Sequence, residues 1–349
     1  MGELRAHAVR SVHVVLPGDV GDETVPSGGN RYDQRLCAGL PGVHETALSE
    51  MWPRPGSTAG LAAALAAVPD GDVVLLDGLV ACGVPEVVVP QASRLRLAVL
   101  VHLPLAEETG LAPDVAAELD ARERETLHAA HAVVATGAEA ARHLVTHHGL
   151  PSEKVHVVEP GVDPAPLARG TDGVSQLLCV ASLTPRKGQD LLVEALATVE
   201  DPWRCTFAGP PKHAEYVARL RQSIRDHGWE DRCELAGPLT GKALDDAYDS
   251  ADLVVLPSRA ETYGMVVTEA LARGLPVLVT DVADLAKTVA GAGIVVPPGN
   301  AGALAEGLRS WFADAGRRRS LRAAARVRRG MLAPWTETSR RMAAVLARL

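Results

Sequence analysis

The stretch LVVLPSRAETYGMVVTEALARGLPVLV, residues 253–279, decides the fold class of this 349-residue chain. A short apolar run leads through a polar loop into a helical segment, and a second apolar run follows Gly274 and Pro276. Uninterrupted apolar runs are typical of parallel strands that are covered on both faces. The alternation of strand and helix predicts an α/β protein with a parallel sheet.

The same alternation extends over the rest of the chain. The Gly/Pro-rich segment 159–173 contains three prolines and little periodicity, so it predicts a linker between two sheets. The expected divisions are residues 1–166, 174–333 and a terminal helix at 334–349. Strands are predicted at 13–16, 73–76, 97–102, 132–135 and 155–158 in the first half, and at 176–181, 205–208, 234–236, 253–256, 277–279 and 293–296 in the second.

Composition excludes several classes of function. The net charge is −8 and aromatic residues are only 3% of the chain, which disfavours a nucleic acid partner. The five cysteines form no CxxC pair, so neither a disulfide framework nor a thiolate zinc site is expected. With no apolar segment of signal-peptide or membrane-span length, we expect a cytoplasmic protein.

Two glutamates flank the start of the helix predicted after strand 253–256. Glu261 lies in the loop and Glu269 lies eight positions later, just over one turn into the helix. Both are expected to face the helix N-terminus, where free N–H groups and the helix dipole favour an anion such as phosphate. Gly264 would let a ligand approach the backbone closely. The alternative is an ordinary strand–loop–helix with two surface glutamates.

A second loop carries two adjacent cations. Within LLCVASLTPRKGQDLLVEAL, residues 177–196, Arg186 and Lys187 follow a predicted strand. The carboxyl ends of parallel strands form the ligand-binding edge of such sheets, and this pair suits a diphosphate. A solvated loop is the alternative explanation.

The first half offers weaker signals at the same edge. Gly28 and Gly29 precede a predicted helix and could present N–H groups to a ligand, although the segment does not fit GxGxxG. His102 ends an apolar strand and is expected to face the cleft, unless a backbone carbonyl satisfies it. His143 and His147 have i, i+4 spacing, but an exposed polar face explains them better than a metal site.

Together these segments resemble the retaining glycosyltransferases of the GT-B architecture, family 4, also called glycosyl transferases group 1. The resemblance covers most of the chain and is strongest over residues 155–298. Its most specific element is the Glu-x7-Glu segment formed by Glu261 and Glu269. It implies two Rossmann-like parallel-sheet domains that face each other across a cleft. The terminal PWTETSRRMAAVLARL resembles the helix that crosses back to the N-terminal domain in this family.

The resemblance also implies roles for individual residues. Arg186 and Lys187 would contact the donor diphosphate, and the N–H groups of Gly264, Met265 and Val266 would cradle it. Many family members carry Gly-Arg where this chain has Ala181 and Ser182, so one expected phosphate cation is absent and Arg186 is its candidate replacement.

Further roles follow from the same resemblance. Glu269 would bind the ribose hydroxyls, and Glu261 would bind hydroxyls of the transferred sugar. Gly29 would let the N-terminal loop approach the donor, and His102 would face the reacting sugar. Leu239 is a candidate for packing on the nucleobase. The catalytic candidates are therefore His102, Lys187 and Glu261.

The implied activity is transfer of a sugar from a UDP- or GDP-sugar with retention of anomeric configuration, without a metal or other cofactor. The acceptor could be a lipid, a glycan or a small metabolite. A nucleotide-sugar epimerase of the same architecture and a catalytically silent nucleotide-sugar-binding protein are the alternatives. The arginine-rich run 317–329 predicts a solvated helix face, with peripheral membrane contact as the second interpretation.

Overall fold

Two parallel sheets of six strands each organise residues 11–349, the part of the chain that this computed structural model describes. The predicted fold class, two Rossmann-like domains, is confirmed. The first sheet has the order β2-β1-β3-β4-β5-β6 and the second has the order β12-β11-β10-β7-β8-β9. The strands are β1 (Val12–Pro17), β2 (Val43–Leu48), β3 (Val73–Asp77), β4 (Arg96–Val101), β5 (Ala132–Ala135), β6 (Val155–Val157), β7 (Gln176–Val180), β8 (Arg204–Ala208), β9 (Cys233–Gly237), β10 (Leu253–Leu256), β11 (Val277–Thr280) and β12 (Gly293–Val296).

Helices cover both faces of each sheet. On β7, Leu177 and Cys179 belong to one buried cluster while Leu178, between them, belongs to the cluster on the opposite face. This two-sided burial explains the continuous apolar runs in the sequence. The helices are α1 (Gly28–Gly39), α2 (Ala59–Ala66), α3 (Gly78–Ala81), α4 (Pro85–Val88), α5 (Pro113–Ala129), α6 (Ala138–His148), α7 (Gln189–Leu196), α8 (Ala214–Asp226), α9 (Gly241–Asp249), α10 (Met265–Ala272), α11 (Leu285–Val289), α12 (Ala301–Ala313), α13 (Ala315–Arg329) and α14 (Trp335–Leu346).

Two features of the first sheet differ from the prediction. Strand β2 is not among the predicted strands, because its sequence VHETAL exposes His44 and Glu45 at the sheet edge and contains no apolar run. Gly28 and Gly29 do not precede α1 but form its first turn. Ser27 is the N-cap and its hydroxyl accepts a hydrogen bond from the Asn30 N–H at 3.0 Å, a standard helix-initiating contact.

The C-terminal helix packs on the first sheet, although it follows the second in the chain. Trp335 and Met342 of α14 are buried in the cluster that also contains Tyr32, and the rings of Trp335 and Tyr32 meet edge to face at 5.8 Å. The Thr338 hydroxyl donates to the carbonyl of Glu159 at 2.9 Å, which ties α14 to the segment between the sheets. The boundaries at residues 166, 174 and 333 stay predictions.

The arginine-rich run forms α13, and some of its guanidinium groups bond to other parts of the protein. The guanidinium of Arg318 donates to the carbonyls of Trp311 and Phe312, and Arg322 pairs with the buried Asp252. Arg317, Arg319 and Arg326 are exposed, so the predicted solvated face is only part of this helix, and membrane contact stays a prediction. Across residues 11–349 no helix combines the length and the apolar character needed to cross a membrane.

Candidate functional site

The carboxyl ends of the two sheets meet across a cleft. Gly28, at the start of α1, lies against α10 of the other domain: a Cβ atom at Gly28 would lie 3.6 Å from the Met265 sulfur. Met265 in turn packs partly against the buried cluster of the first domain. The backbone N–H of Glu139, in the first turn of α6, donates to the Asp284 carboxylate of the second domain at 2.9 Å. Loops from both domains therefore line one site, as expected for this topology.

A buried ion pair lies at the ends of β7 and β10. The Lys187 ammonium, in the 3₁₀ turn Pro185–Lys187, lies 2.5 Å from Oε1 of Glu261, and the Ser258 hydroxyl donates to the same oxygen at 2.7 Å. The side chains of Lys187 and Glu261 are only 16% and 4% exposed. A buried charge needs such partners, because desolvation without them is costly.

The environment sets the protonation of this pair. Burial lowers the pKa of Lys187, and the neighbouring Arg186 charge lowers it further, while Glu261 acts in the opposite direction. Burial alone would raise the pKa of Glu261, but Lys187 and Arg186 outweigh burial and hold that pKa below its usual value. Glu261 is thus an ionised acceptor of hydrogen bonds and is poorly suited to act as a general acid.

Arg186 carries a polar atom that the fold leaves without a partner. Its Nη1 donates to the carbonyl of Ala260 at 3.4 Å, while its Nε is buried and has no hydrogen-bond partner among residues 11–349. Buried donors are nearly always satisfied in folded proteins. An anion bound beside Arg186 would satisfy this one.

The N-terminus of α10 provides further free donors. Gly264 precedes the helix with φ +81°, and no side chain caps the first turn. A Cβ at Gly264 would lie 2.7 Å from Cδ2 of Leu285, so both the backbone conformation and the packing require glycine. The first-turn N–H groups, including those of Met265 and Val266, lack intrahelical acceptors by geometry and carry the positive end of the helix dipole.

Glu269 is engaged at both carboxylate oxygens. The Tyr248 hydroxyl donates to Oε2 at 2.9 Å, and the Arg31 guanidinium lies 3.2 Å from Oε1. Arg31 comes from α1 in the first domain and also binds Asp163 at 2.9 Å. An ion pair thus joins the two domains at the residue expected to bind ribose. Sequence reasoning missed Arg31 and Tyr248; the only signal for Arg31 was its place two residues after the glycine pair.

His102 lies where β4 ends, against α1. Its Nε2 is 2.9 Å from Oδ1 of Asp33 and 3.7 Å from Oδ2 of Asp77. The partner of His102 is therefore a carboxylate and not the backbone carbonyl considered as the alternative. A Cβ at Gly29 would lie 3.2 Å from the imidazole, so glycine permits this close packing. Sequence analysis did not single out either aspartate.

Leu239 lies in the loop between β9 and α9. It is partly buried against the same apolar cluster as Val266. The structure brings Lys187 into direct contact with Glu261, and His102 into contact with Gly29. The role of Leu239 at a nucleobase stays a prediction.

A cavity of about 260 Å³ opens between the domains. One wall consists of α6 and the loop after β4, and the other consists of residues 259–262 with Val282 and Ala283. Glu107, Glu139 and Glu261 contribute carboxylates to the wall, and Arg259 contributes the guanidinium. The Arg259 charge is already paired with Asp190 at 2.7 Å. The carboxylates are paired as well: Glu261 with Lys187, Glu139 with Arg142, and Glu107 with the His143 imidazole at 3.3 Å.

Two groups of side chains place possible metal-ligand atoms within 4.8 Å of one another: Asp33 with Asp77 and His102, and Asp120 with His147 and His148. In the first group His102 is hydrogen-bonded to Asp33, and in the second His147 is hydrogen-bonded to Asp120 at 2.5 Å. One histidine–carboxylate hydrogen bond holds each group together, while Oδ2 of Asp33 and both ring nitrogens of His148 have no hydrogen-bond partner among the described residues. Metal independence stays a prediction.

Comparison with known proteins agrees with this architecture. Residues 9–166 match the family model "Glycosyltransferase Family 4", and residues 168–328 match "Glycosyl transferases group 1". The D-inositol 3-phosphate glycosyltransferase of Jonesia denitrificans is 31% identical over 265 residues, 68% of this chain and 62% of that protein. The enzyme of the same name from Kineococcus radiotolerans is 33% identical over 281 residues, 71% of this chain and 63% of that protein. The matched part of the chain thus spans less than two thirds of these relatives.

Solved structures show the same fold at low identity. Sucrose-phosphate synthase (tll1590) from Thermosynechococcus elongatus superposes with a TM-score of 0.80 at 20% identity, covering 97% of this chain and 99% of that one. Anabaena Alr3699/HepE in complex with UDP-glucose gives a TM-score of 0.78 at 17% identity, covering 97% and 100%. With both halves of the chain matched and both sheets in the same arrangement, the chain belongs to the GT-B glycosyltransferase family.

Proposed function

We propose that this protein transfers a sugar from a nucleoside-diphosphate sugar to an acceptor, with retention of anomeric configuration and without a metal ion. The observation that carries the proposal is the pair of adjacent cations at the cleft, Arg186 and Lys187, where Arg186 leaves a buried Nε donor without a partner among the described residues. A diphosphate would supply the missing acceptor. Family membership supports the reaction class.

The same groups would assist bond cleavage. The leaving nucleoside diphosphate gains negative charge as the bond to the sugar breaks, in a transition state with oxocarbenium character. Arg186, Lys187 and the free N–H groups at the start of α10 would stabilise that charge. Preorganised donors of this kind contribute about 3–4 kcal/mol each to transition-state stabilisation.

Glu261 and Glu269 would recognise the donor's hydroxyl groups. Glu261 is ionised and buried, so it would accept hydrogen bonds from the transferred sugar. Glu269 would accept hydrogen bonds from the ribose, in competition with Arg31 at Oε1.

The donor base is proposed to be uracil, with guanine as the alternative. One structural neighbour, Anabaena Alr3699/HepE, was solved in complex with UDP-glucose. Leu239 is the candidate for apolar contact with the base.

The acceptor would enter the cavity beside Glu261. Each carboxylate that lines this cavity has a partner: Glu261 pairs with Lys187, Glu139 pairs with Arg142, and Glu107 lies 3.3 Å from the His143 imidazole. The cavity's arginine, Arg259, is likewise paired with Asp190. The charges on the wall therefore do not select against a phosphate, and we propose a hydroxyl-bearing acceptor, with the inositol phosphate named for the relatives as one candidate.

Thermal unfolding in the presence of nucleotides tests the donor proposal. UDP, GDP, ADP and dTDP are compared, each with and without EDTA. A nucleotide at 100 times its dissociation constant adds about 2.7 kcal/mol of stability. We expect one nucleotide, UDP first, to raise the melting temperature equally with and without EDTA.

Variants make this measurement specific to the site. Arg186→Met should abolish the nucleotide-dependent shift, whereas Lys242→Ala, which alters an exposed residue on α9, should preserve it. No shift with any nucleotide at millimolar concentration would refute the donor proposal. Conversion of a UDP-sugar to its epimer without an acceptor would identify an epimerase. Binding of the nucleotide sugar without turnover would identify a catalytically silent binding protein. NMR of the product's anomeric proton tests retention.

A further inference from the structure

A buried cluster of three titratable side chains lies beneath the N-terminal side of the cleft. Asp33 of α1 is 1% exposed, and the side chains of Asp77, at the end of β3, and His102, after β4, are 6% and 18% exposed. Two buried carboxylates close together cannot both remain ionised without a compensating positive charge. The chain provides one candidate for that charge, the imidazole of His102.

The hydrogen bonds within the cluster indicate which of its side chains hold protons. Asp33 Oδ1 lies 2.9 Å from Nε2 of His102, and Asp77 Oδ1 accepts the backbone N–H of Leu79 at 2.5 Å. Oδ2 of Asp33 is buried and has no other partner among the described residues. Atoms of the two carboxyl groups lie within 4.8 Å of each other. A proton held by Asp77 and directed at Asp33 would satisfy that oxygen.

The pKa values agree with this distribution. Burial and the Asp33 charge raise the pKa of Asp77 to about 8, against the lowering effect of His102. Burial would lower the pKa of His102, but the charge and hydrogen bond of Asp33, with the charge of Asp77, raise it to about 9. At neutral pH Asp77 is then neutral and His102 is cationic, with the Asp33 carboxyl group as its hydrogen-bond partner at 2.9 Å.

The other titratable groups around the cluster are neutral. The Tyr32 ring meets His102 edge-on at 5.2 Å, and burial raises its pKa well above the usual value. Burial also raises the pKa values of the Cys37 and Cys82 thiols. The nearby Asp33 raises the pKa of Cys37 further, and Asp77 does the same for Cys82. None of these three can replace His102 as the positive partner of Asp33.

We propose that Asp33 and Asp77 are positioning residues that hold His102 as an imidazolium, with Nε2–H donated to Asp33 and Nδ1–H presented to the cleft. Nδ1 is the ring nitrogen without a partner among residues 11–349, and the side chain retains access to solvent. His102 then acts as a fixed hydrogen-bond donor to the bound sugar and cannot serve as a general base. The consequence for the sugar rests on the proposed function; the protonation state does not.

Proton-detected carbon NMR of ring-labelled histidine tests the protonation state directly in the nucleotide-free protein. The chain has 12 histidines, so His102→Gln identifies the resonance. The expected titration midpoint of His102 is about 9. Asp33→Asn should lower the midpoint, because the partner at 2.9 Å loses its charge and Asp77 lies farther away, at 3.7 Å. Asp33→Asn combined with Asp77→Asn should bring it to about 6.5 or below, at least a hundredfold change in proton affinity.

Asp77→Asn distinguishes the two carboxyl groups. Its amide resembles the neutral acid in shape and can donate to Asp33, so the His102 midpoint should remain well above about 6.5, the usual value for histidine. Asp72→Asn is the matched control, because Asp72 bonds another histidine of the same sheet, His13, at 3.3 Å. It should leave the His102 midpoint unchanged.

The outcomes separate this inference from the donor proposal. A wild-type His102 midpoint near about 6.5, or an unchanged midpoint in Asp33→Asn, would overturn the inference whether or not nucleotide binds. The expected midpoints without any nucleotide binding would uphold the cluster and refute the donor proposal. If turnover is measured, the alkaline limb of the pH–rate profile that His102 deprotonation causes should move to lower pH in Asp33→Asn, whereas Asp77→Asn should shift it less.

Discussion

Replacing Lys187 by alanine separates the two roles of the buried ion pair. In catalysis, Lys187 is placed to stabilise the leaving diphosphate, and loss of one such preorganised donor lowers turnover by about 10²–10³. In stability, the change leaves Glu261, 4% exposed, without the ammonium that lies 2.5 Å away. Breaking one side of a buried pair costs about 3–5 kcal/mol. Loss of activity in this variant could therefore come from unfolding and not from loss of the cation at the diphosphate.

A double variant distinguishes these effects. Lys187→Met with Glu261→Gln removes both charges and keeps nearly the same volume, and replacing a whole buried pair is often neutral for stability. We expect the single variant to unfold at much lower denaturant concentration and the double variant to recover most of the loss. Turnover should stay low in both, because neither restores a cation at the diphosphate.

The stability loss should depend on pH. In the wild type the pKa of Glu261 is lowered, so the pair contributes stability above the unfolded-state pKa of about 4.3 and loses it as pH falls. In Lys187→Ala the dominant remaining effect is burial, which raises that pKa and penalises folding once the unfolded chain ionises. The two proteins should therefore approach equal stability near about pH 4–5 and differ most at neutral pH.

Urea unfolding from about pH 4.5 to 8 measures stability, and single-turnover release of nucleoside diphosphate measures the chemical step. Turnover of Lys187→Ala within about threefold of wild type, under conditions where the variant is folded, would refute the diphosphate assignment. A double variant as unstable as the single one would refute the account of the buried pair.

Three further changes address the donor site. Glu269→Gln should weaken nucleoside-diphosphate binding about tenfold or more, as expected for loss of a charged hydrogen-bond acceptor, and an unchanged dissociation constant by calorimetry would contradict ribose binding there. Arg31→Met should tighten nucleotide binding about two- to fivefold if Arg31 chiefly competes with the ribose for Glu269, because a partly exposed ion pair contributes at most about 1 kcal/mol. Weaker nucleotide binding in this variant would show instead that Arg31 contacts the diphosphate. Gly264→Ala should destabilise the protein by more than Gly291→Ala, because both glycines have positive φ (+81° and +83°) but only Gly264 lacks space for a Cβ. Only the Gly264 variant should lose nucleotide binding. Equal effects of the two variants on unfolding and on nucleotide binding would contradict this.

Ser182 is the one departure from the family pattern that bears on these tests. The resemblance to the family implies an arginine at this position in many members, and here Gln189 donates to the Ser182 carbonyl at 3.0 Å. The nearby positive charge comes from Arg186 and Lys187. If Ser182→Arg strengthens nucleotide binding, the site tolerates a further cation and the wild type binds its donor with fewer charges than its relatives.

The sequence by itself determined the class of fold and most of its strands. All six strands of the second sheet were predicted. The central strands β10 and β11 are buried and form uninterrupted apolar runs, whereas β8 and β9 contain Arg204 and Glu234 and were predicted from the alternation of strand and helix. The sequence also singled out Arg186, Lys187, Glu261 and Glu269 as candidates, because they lie in loops and helix starts that follow strands of a parallel sheet. Strand β2 escaped prediction because only its last residue, Leu48, is buried.

Only the tertiary structure decided which residues distant in sequence contact each other. Arg31 of the first domain reaches Glu269 of the second, and within the first domain Asp33, Asp77 and His102 meet from three different elements. No local periodicity reports such contacts, because each residue taken alone fits an ordinary polar position on a helix or strand end. Periodicity records whether a side chain is buried, whereas its partner, and hence its charge, is settled by the packing of elements that are far apart in the sequence.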